Sequence, residues 1–378
     1  MAYLSDRRID QIMHTQTTIP MNDLSRGIAR DRDGLTTATH AVFDSGHVVM
    51  GPQHEAFQSA LALYWGVENV LGVASGTDAL ELAIRAAMPV GRSTVLSAAN
   101  AGGYTSVAAR RAGFQLRYAD VDSTSLCLSA ATVSEALTTE VGVVVVTHLY
   151  GNLTDIRDLV ADCHRRGIRV VEDWAQSIGA RKPNGETGIN GDIAATSFYP
   201  TKNLGAIGDG GAIATDDRDF ARVITQLRQY GWDRKYHVAI SGGTNSRLDE
   251  LQAAYLNVRL PQLDSFGERR REIIARYVSA SRNGVIEVLP APGTNHVGHL
   301  AVARSSRREE IRAQLFSRGV TTDVHYPIPD HQQPGFHAEP VSLPVTERTA
   351  QEIFSLPCFP ELTDAEIDTV CASIEALE

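Results

Sequence analysis

Ser197-Phe198-Tyr199-Pro200-Thr201-Lys202-Asn203-Leu204-Gly205 separates two short apolar runs, Ile193 to Phe198 and Gly211 to Thr215. Two strand-like runs joined by a turn that also carries Gly208 and Gly210 predict an α/β sheet with Lys202 just beyond a strand end. Lys202 is one of three lysines, with Lys182 and Lys235, among 35 lysines and arginines together. Arginine supplies charge and phosphate contacts but cannot shed a proton to attack a carbonyl. Lysine can, once burial lowers its pKa. Codon preference explains the shortage of lysines and suits Lys182 beside Pro183. It does not explain a lysine set among glycines.

Outward from this turn, Thr94 to Ser97, Gly142 to Thr147 and Ile168 to Val171 read as further strands, with helical segments at Ala79 to Ala87 and Asp155 to Arg166 between them. Apolar strands alternating with helices predict a mixed, mostly parallel sheet covered on both faces. A helix follows from Asp217 to about Tyr230, then a polar, glycine-bearing loop over 231–245, then a helix from Arg247 to Arg259. Residues 1–35 are polar and weakly periodic, which predicts an arm or short helices. The division expected is an amino-terminal arm (1–35), a large α/β domain (36–264) and a small carboxy-terminal domain (265–378) closed by a helix from Thr363 to Leu377.

The net charge of −10 argues against nucleic-acid or anionic-membrane binding, which need a basic face. Cys127, Cys163, Cys358 and Cys371 show no paired spacing, so neither disulfides nor a metal site is expected. No run reaches membrane-spanning length and the first residues lack the apolar core of a signal peptide. The expectation is a soluble, cytoplasmic protein.

Three pieces carry chemistry. Ser75-Gly76-Thr77-Asp78 opens a helix with capping spacing, and its free amides form a phosphate site or simply a capped end. Asp173, in Val171-Glu172-Asp173-Trp174-Ala175-Gln176-Ser177, places an acid at a strand's carboxyl end, where ligands sit in open α/β sheets. It is a helix cap or the partner of a buried cation such as a pyridinium nitrogen. Gln176 reaches a ring oxygen or stays surface polar. Each piece has a plain alternative, but phosphate cradle, buried acid and turn lysine in this order point to pyridoxal 5'-phosphate on Lys202, with Ser197 as a further phosphate contact.

These stretches, with Gly208-Asp-Gly-Gly211 and Asn245-Ser-Arg-Leu-Asp-Glu-Leu-Gln-Ala-Ala254, resemble the DegT/StrS family of pyridoxal-phosphate aminotransferases acting on nucleotide-linked keto sugars. The resemblance runs from about residue 40 to the end. It implies an aspartate-aminotransferase-like fold of type I and a homodimer with shared active sites. It further implies that Lys202 holds the cofactor, Asp173 pairs with the ring nitrogen and Gln176 meets the ring hydroxyl. Gly76, Thr77 and Ser197 would lie at the phosphate, with Asn245 reaching the partner's phosphate. An aromatic residue stacks on the ring in this family. Here the segment Ala99-Asn-Ala-Gly-Gly-Tyr104 is unusually rich in glycine, and Tyr104 is the candidate. His325, Tyr326 and His331, in Asp323-Val-His-Tyr-Pro-Ile-Pro-Asp-His331, resemble the family's sugar-side stretch, and Arg247 is a further candidate for substrate contact. They read otherwise as an ordinary polar loop.

Family members that dehydrate carry histidine in place of the lysine, so Lys202 implies amino transfer from L-glutamate. The stretches around Asn100, Tyr199 and Tyr230 resemble members that aminate C3 of a dTDP-3-keto-6-deoxyhexose, for a deoxyamino sugar of an antibiotic or surface polysaccharide. Members acting at C4 of a dTDP- or UDP-4-keto sugar are the alternative. A regulator binding cofactor or amino sugar without turnover is disfavoured by the intact Lys202 and Asp173, and a scaffolding protein by the glycines clustered around Lys202.

Overall fold

The computed structural model describes residues 18–182, 184–185, 187–336 and 339–378. Seven strands form one sheet: β1 (Asn69–Val73), β2 (Thr94–Ala98), β3 (Gln115–Ala119), β4 (Val141–Thr147), β5 (Arg169–Asp173), β6 (Ile193–Ser197) and β7 (Gly211–Thr215), in the order β1-β7-β6-β5-β4-β2-β3. β7 runs antiparallel to both β1 and β6, and all other pairs are parallel. The mixed, mostly parallel sheet expected from the sequence is therefore present, with β1 and β3 added at its edges. β4 is buried along its whole length, because helices cover both faces. Its side chains alternate between them: Val143 and Val145 join one apolar cluster, Val144 and Val146 another.

α1 (Leu24–Ser45) and α2 (Pro52–Trp65) precede the sheet. α3 (Gly76–Ala87), α4 (Tyr104–Arg111), α5 (Ala130–Ala136) and α6 (Arg157–Arg165) connect its strands, and α7 (Arg218–Leu227) follows the last of them. Ala79, Ile84, Ala108 and Ile224 pack against one face. Phe57, Trp65, Leu159 and Leu256 pack against the other, Leu256 belonging to α8 (Glu250–Arg259). A short hairpin, β8 (Trp232–Arg234) and β9 (His237–Val238), projects before α8.

A second core follows. α9 (Leu263–Ala280), α10 (Arg308–Ser317), α11 (Pro344–Glu352) and α12 (Asp364–Glu375) accompany a three-stranded antiparallel sheet of β10 (Glu287–Val288), β11 (Ala301–Arg304) and β12 (Ile353–Leu356). Ile273, Tyr277, Phe354, Phe359 and Ile374 fill this core. α12 opens with a capping box between Thr363 and Glu366, at the position the sequence indicated.

Two expectations differ. Residues 1–17 lie outside the described residues, and Leu24 to Ser45 is one continuous helix, so the division at residue 35 falls inside it, as the division at 264 falls inside α9. The helical period was hidden because α1 turns Gly27 and Asp31 inward along with Leu35 and Val42. Asp31 is held there by Arg259 Nε at 3.2 Å. Second, α8 begins at Glu250 rather than Arg247. The Glu250 carboxylate is spent on another element, accepting from the Gly51, Gln53 and His54 amides at the start of α2.

Candidate active site

The carboxyl ends of β5 and β6 and the turn leaving β1 open onto one cavity of about 450 Å³. A parallel sheet delivers successive strand ends to the same edge, which is why residues remote in sequence meet there. Ser75 caps α3 by accepting from the Asp78 amide at 3.1 Å, so the Gly76 and Thr77 amides remain at a positive helix end facing the cavity. Ser197, the last residue of β6, packs against this turn: a Cβ on Gly76 would lie 2.5 Å from that of Ser197. Gly76 is therefore required by strand packing as well as by any ligand.

Asp173 ends β5 and is buried. Its carboxylate accepts from the Ala175 amide at 3.0 Å and from Thr147 Oγ1 at 3.3 Å. Burial raises its pKa against the pull of those bonds and of the Lys202 charge. Lys202 lines the same cavity, and burial lowers its pKa while Asp173 opposes. No side-chain hydrogen bond or ion pair holds Lys202 among the described residues, leaving its amine available. The neighbouring acid, Glu172, has a separate, structural task. Burial pushes it up, but bonds from His148 Nε2 (2.7 Å) and the Asn190 and Gly191 amides hold it below the usual range.

Gln176 Oε1 accepts from the Tyr150 amide at 2.7 Å and its Nε2 donates to the Tyr326 hydroxyl at 3.2 Å, leaving one N–H free at the cavity wall. The Tyr104 and Tyr326 rings meet edge to face at 6.2 Å and both line the cavity. His325 does so too, anchored by Ser355 Oγ at 3.0 Å, its pKa lowered by burial against the pull of Asp323. The glycine richness of the Ala99–Tyr104 turn has a local cause: a Cβ on Gly102 would lie 2.7 Å from the Tyr326 ring.

A model of the DegT/DnrJ/EryC1/StrS aminotransferase family matches residues 30–375. The chain belongs to this family. It is 38% identical to a dTDP-3-amino-3,4,6-trideoxy-alpha-D-glucose transaminase of Micromonospora megalomicea subsp. nigra, over 91% of this chain and 95% of that one. It is 35% identical to a UDP-N-acetyl-3-dehydro-alpha-D-glucosamine 3-aminotransferase of Acidithiobacillus ferrooxidans, over 96% and 98%. Among solved structures it superposes on S. venezuelae DesV in complex with a ketimine intermediate with a TM-score of 0.90, at 36% identity, covering 95% of this chain and 98% of that one.

Enzymes of this family depend on pyridoxal 5'-phosphate, and this aminotransferase does so too. The residues fit the cofactor. An unpartnered amine, a buried acid and a helix amino terminus share one cavity, whose size suits such a ligand. Of the remaining candidates, three lie elsewhere. Asn245 is exposed and bridges to Gln229, Arg247 is half-buried, and neither lines the cavity of its own chain. His331 is half-buried outside it, its Nε2 3.1 Å from Glu347 Oε1. Nor does Asn245 cap the following helix, since Asp249 holds that position.

Two wall residues had no signal in the sequence. Arg270 of α9 is buried and its Nη1 donates to the carbonyls of His299 and Cys358. His299 Nδ1 lies 2.9 Å from Asn203 Oδ1 and so steadies the residue next to Lys202. Both belong to the second core and reach the cavity only through its packing on the first, which spacing along the chain does not encode. Among the described residues no helix is long and apolar enough to cross a membrane, and all four cysteines are free.

Proposed function

We propose that this aminotransferase moves an amino group from L-glutamate to C3 of a nucleotide-linked, dTDP-bearing keto-6-deoxysugar. The observation that carries amino transfer is the Lys202 amine and the Asp173 carboxylate lining one cavity beside the α3 amino terminus. The position of transfer is supported by relatives whose names place the amine at C3, on both dTDP and UDP sugars.

Pyridoxal phosphate, when bound, supplies an electron sink for a proton leaving the carbon that bears nitrogen. The Gly76 and Thr77 amides, with Ser197, hold its phosphate at the helix end. Asp173 would pair with the ring nitrogen and keep it protonated, which would offset the cost of its own buried charge. Gln176 offers its free N–H to the ring hydroxyl. Lys202, whose pKa burial lowers, would take the proton from the α-carbon of the donor and later deliver one to C3 of the acceptor. Tyr104, Tyr326 and His325 form the wall on the acceptor's side and limit water entry.

Asn245 is exposed in its own chain and carried by a loop after the β8–β9 hairpin, which suits a residue serving a second subunit. The reading is a symmetric dimer in which Asn245 completes the partner's phosphate site. It places the enzyme in the cytoplasm, where its four thiols stay reduced. A panel of dTDP- and UDP-linked 3-keto and 4-keto sugars, offered with glutamate and read by mass and NMR, tests the assignment. Amination of 3-keto dTDP sugars is expected; exclusive amination at C4, or none with any sugar, overturns it.

A further inference from the structure

α4 starts badly by its own means. Its cap residue is Gly103, in a left-handed conformation and without a side chain, so the first amides of the helix have no local acceptor. The first turn is tied down through a side chain instead, by Asp330, a residue far along the chain. Asp330 is buried, its Oδ2 accepts from Ser106 Oγ at 2.5 Å, and its amide donates to the Ala99 carbonyl at 2.7 Å. Ser106 in turn meets the Tyr118 hydroxyl at 2.9 Å. Asp330 Oδ1 has no side-chain partner and only the weaker pull of the Gly103 amide.

A half-satisfied buried carboxylate costs stability that an apolar residue of similar size would not. Its position explains what it does instead. Asp330 is four residues beyond Tyr326, whose ring fills the space over Gly102, and Ser106 is two residues beyond Tyr104. The two segments thus carry the two rings that meet at the cavity, and Asp330 is a buried link between them.

We propose that Asp330 is a positioning residue for the acceptor side of the site: through Ser106 and the Ala99 carbonyl it clamps segment 323–336 to the turn 99–103 and to α4, and so fixes the Tyr104–Tyr326 pair. That these rings face the acceptor rests on the function proposed above. The clamp is strongest when Asp330 is ionised, because a charged acceptor binds the Ser106 hydroxyl more tightly and suits a helix amino terminus. Burial pushes Asp330 up to about 6, with the Ser106 bond opposing. The titratable groups that face this cluster are Tyr118, Arg110 and His331. Tyr118 is pushed up to about 12 by burial, Arg110 of α4 is engaged by the Phe336 carbonyl, and His331 faces Glu347 of α11. Acceptor affinity therefore falls as pH drops through about 6.

The test compares Asp330→Asn, Asp330→Leu and Ser106→Ala in the cofactor-loaded enzyme. Expected are a KM for the keto sugar raised about tenfold in Asp330→Leu and Ser106→Ala, a glutamate half-reaction within about twofold of wild type, and loss of the acid limb near pH 6 from the sugar kcat/KM in Asp330→Asn. Sugar KM and pH profile matching wild type in all three variants overturn the proposal. Hydrogen exchange in segments 99–106 and 323–336 reads the clamp without any sugar. Faster exchange in both segments in Asp330→Leu supports it even if the acceptor proves to be another molecule, and unchanged exchange overturns it.

Discussion

Lys202 and Asp173 are displaced in opposite directions for one reason, their burial, and each displacement disfavours charge. An arginine at 202 would keep the charge, lack the neutral amine and block the site with a group that cannot give up its proton. Lys202→Arg is expected to lose transamination by at least roughly a thousandfold, read as bleaching of the bound cofactor by glutamate. Asp173→Asn keeps most hydrogen-bonding geometry but cannot hold the ring nitrogen charged. Its glutamate half-reaction should slow by roughly two to four orders of magnitude while cofactor remains bound. The same substitution has an opposite effect on the empty protein. A carboxyl whose folded pKa is raised favours the fold below its unfolded pKa, and that advantage is lost as pH climbs from there through the raised value. At pH 7 cofactor-free Asp173→Asn should therefore melt no lower than the wild type, whereas with cofactor the wild type melts higher; calorimetry of both forms checks the reversal.

At the level of elements, α3 and β6 are set against each other with no room to spare. Gly76→Ala places a methyl 2.5 Å from the Ser197 Cβ, so the helix start must retreat from the strand. The cost is about 1–3 kcal/mol of packing, and the phosphate amides move with the helix; cofactor retention on dialysis should fall while the circular dichroism stays native. How much of this was legible differs by element. β4 to β7 were readable because apolar runs buried on both faces look alike in sequence and structure. β3 was not, because Gln115 and Arg117 stay solvent-facing at the sheet's edge. β1 was hidden by Gly72, its fourth residue of five, where a Cβ would lie 2.6 Å from His54 Nε2. The glycines near Lys202 were readable as a close approach but not as to what approaches. Gly205 faces the Pro200 carbonyl and Gly211 the Ser75 carbonyl, both backbone rather than ligand. Lys202 and Asp173 stood out because their chemistry is local; Asp330 and His299 did not, because their partners are far along the chain.

For the whole molecule, the placement of Asn245 outside its own cavity makes assembly testable. Mixed dimers of inactive Lys202→Ala and inactive Asn245→Asp chains should regain part of the activity, since one of the two sites then carries neither lesion. Activity of an isolated monomer, or no recovery after proven subunit exchange, counts against sharing. A different consequence follows from how the cavity wall is collected along the chain, from Met21 and Asn22 to Leu356 and Cys358. During synthesis the seven-stranded sheet can close once β7 has left the ribosome, because β7 is the strand that bridges β1 to β6. The wall cannot close until β12 has followed it. The groups assigned to the cofactor, from Gly76 to Lys202, therefore leave the ribosome first, and the wall assigned to the acceptor, His325 and Tyr326, follows; a chain halted between them would carry the means to hold vitamin B6 without the surface that admits a sugar.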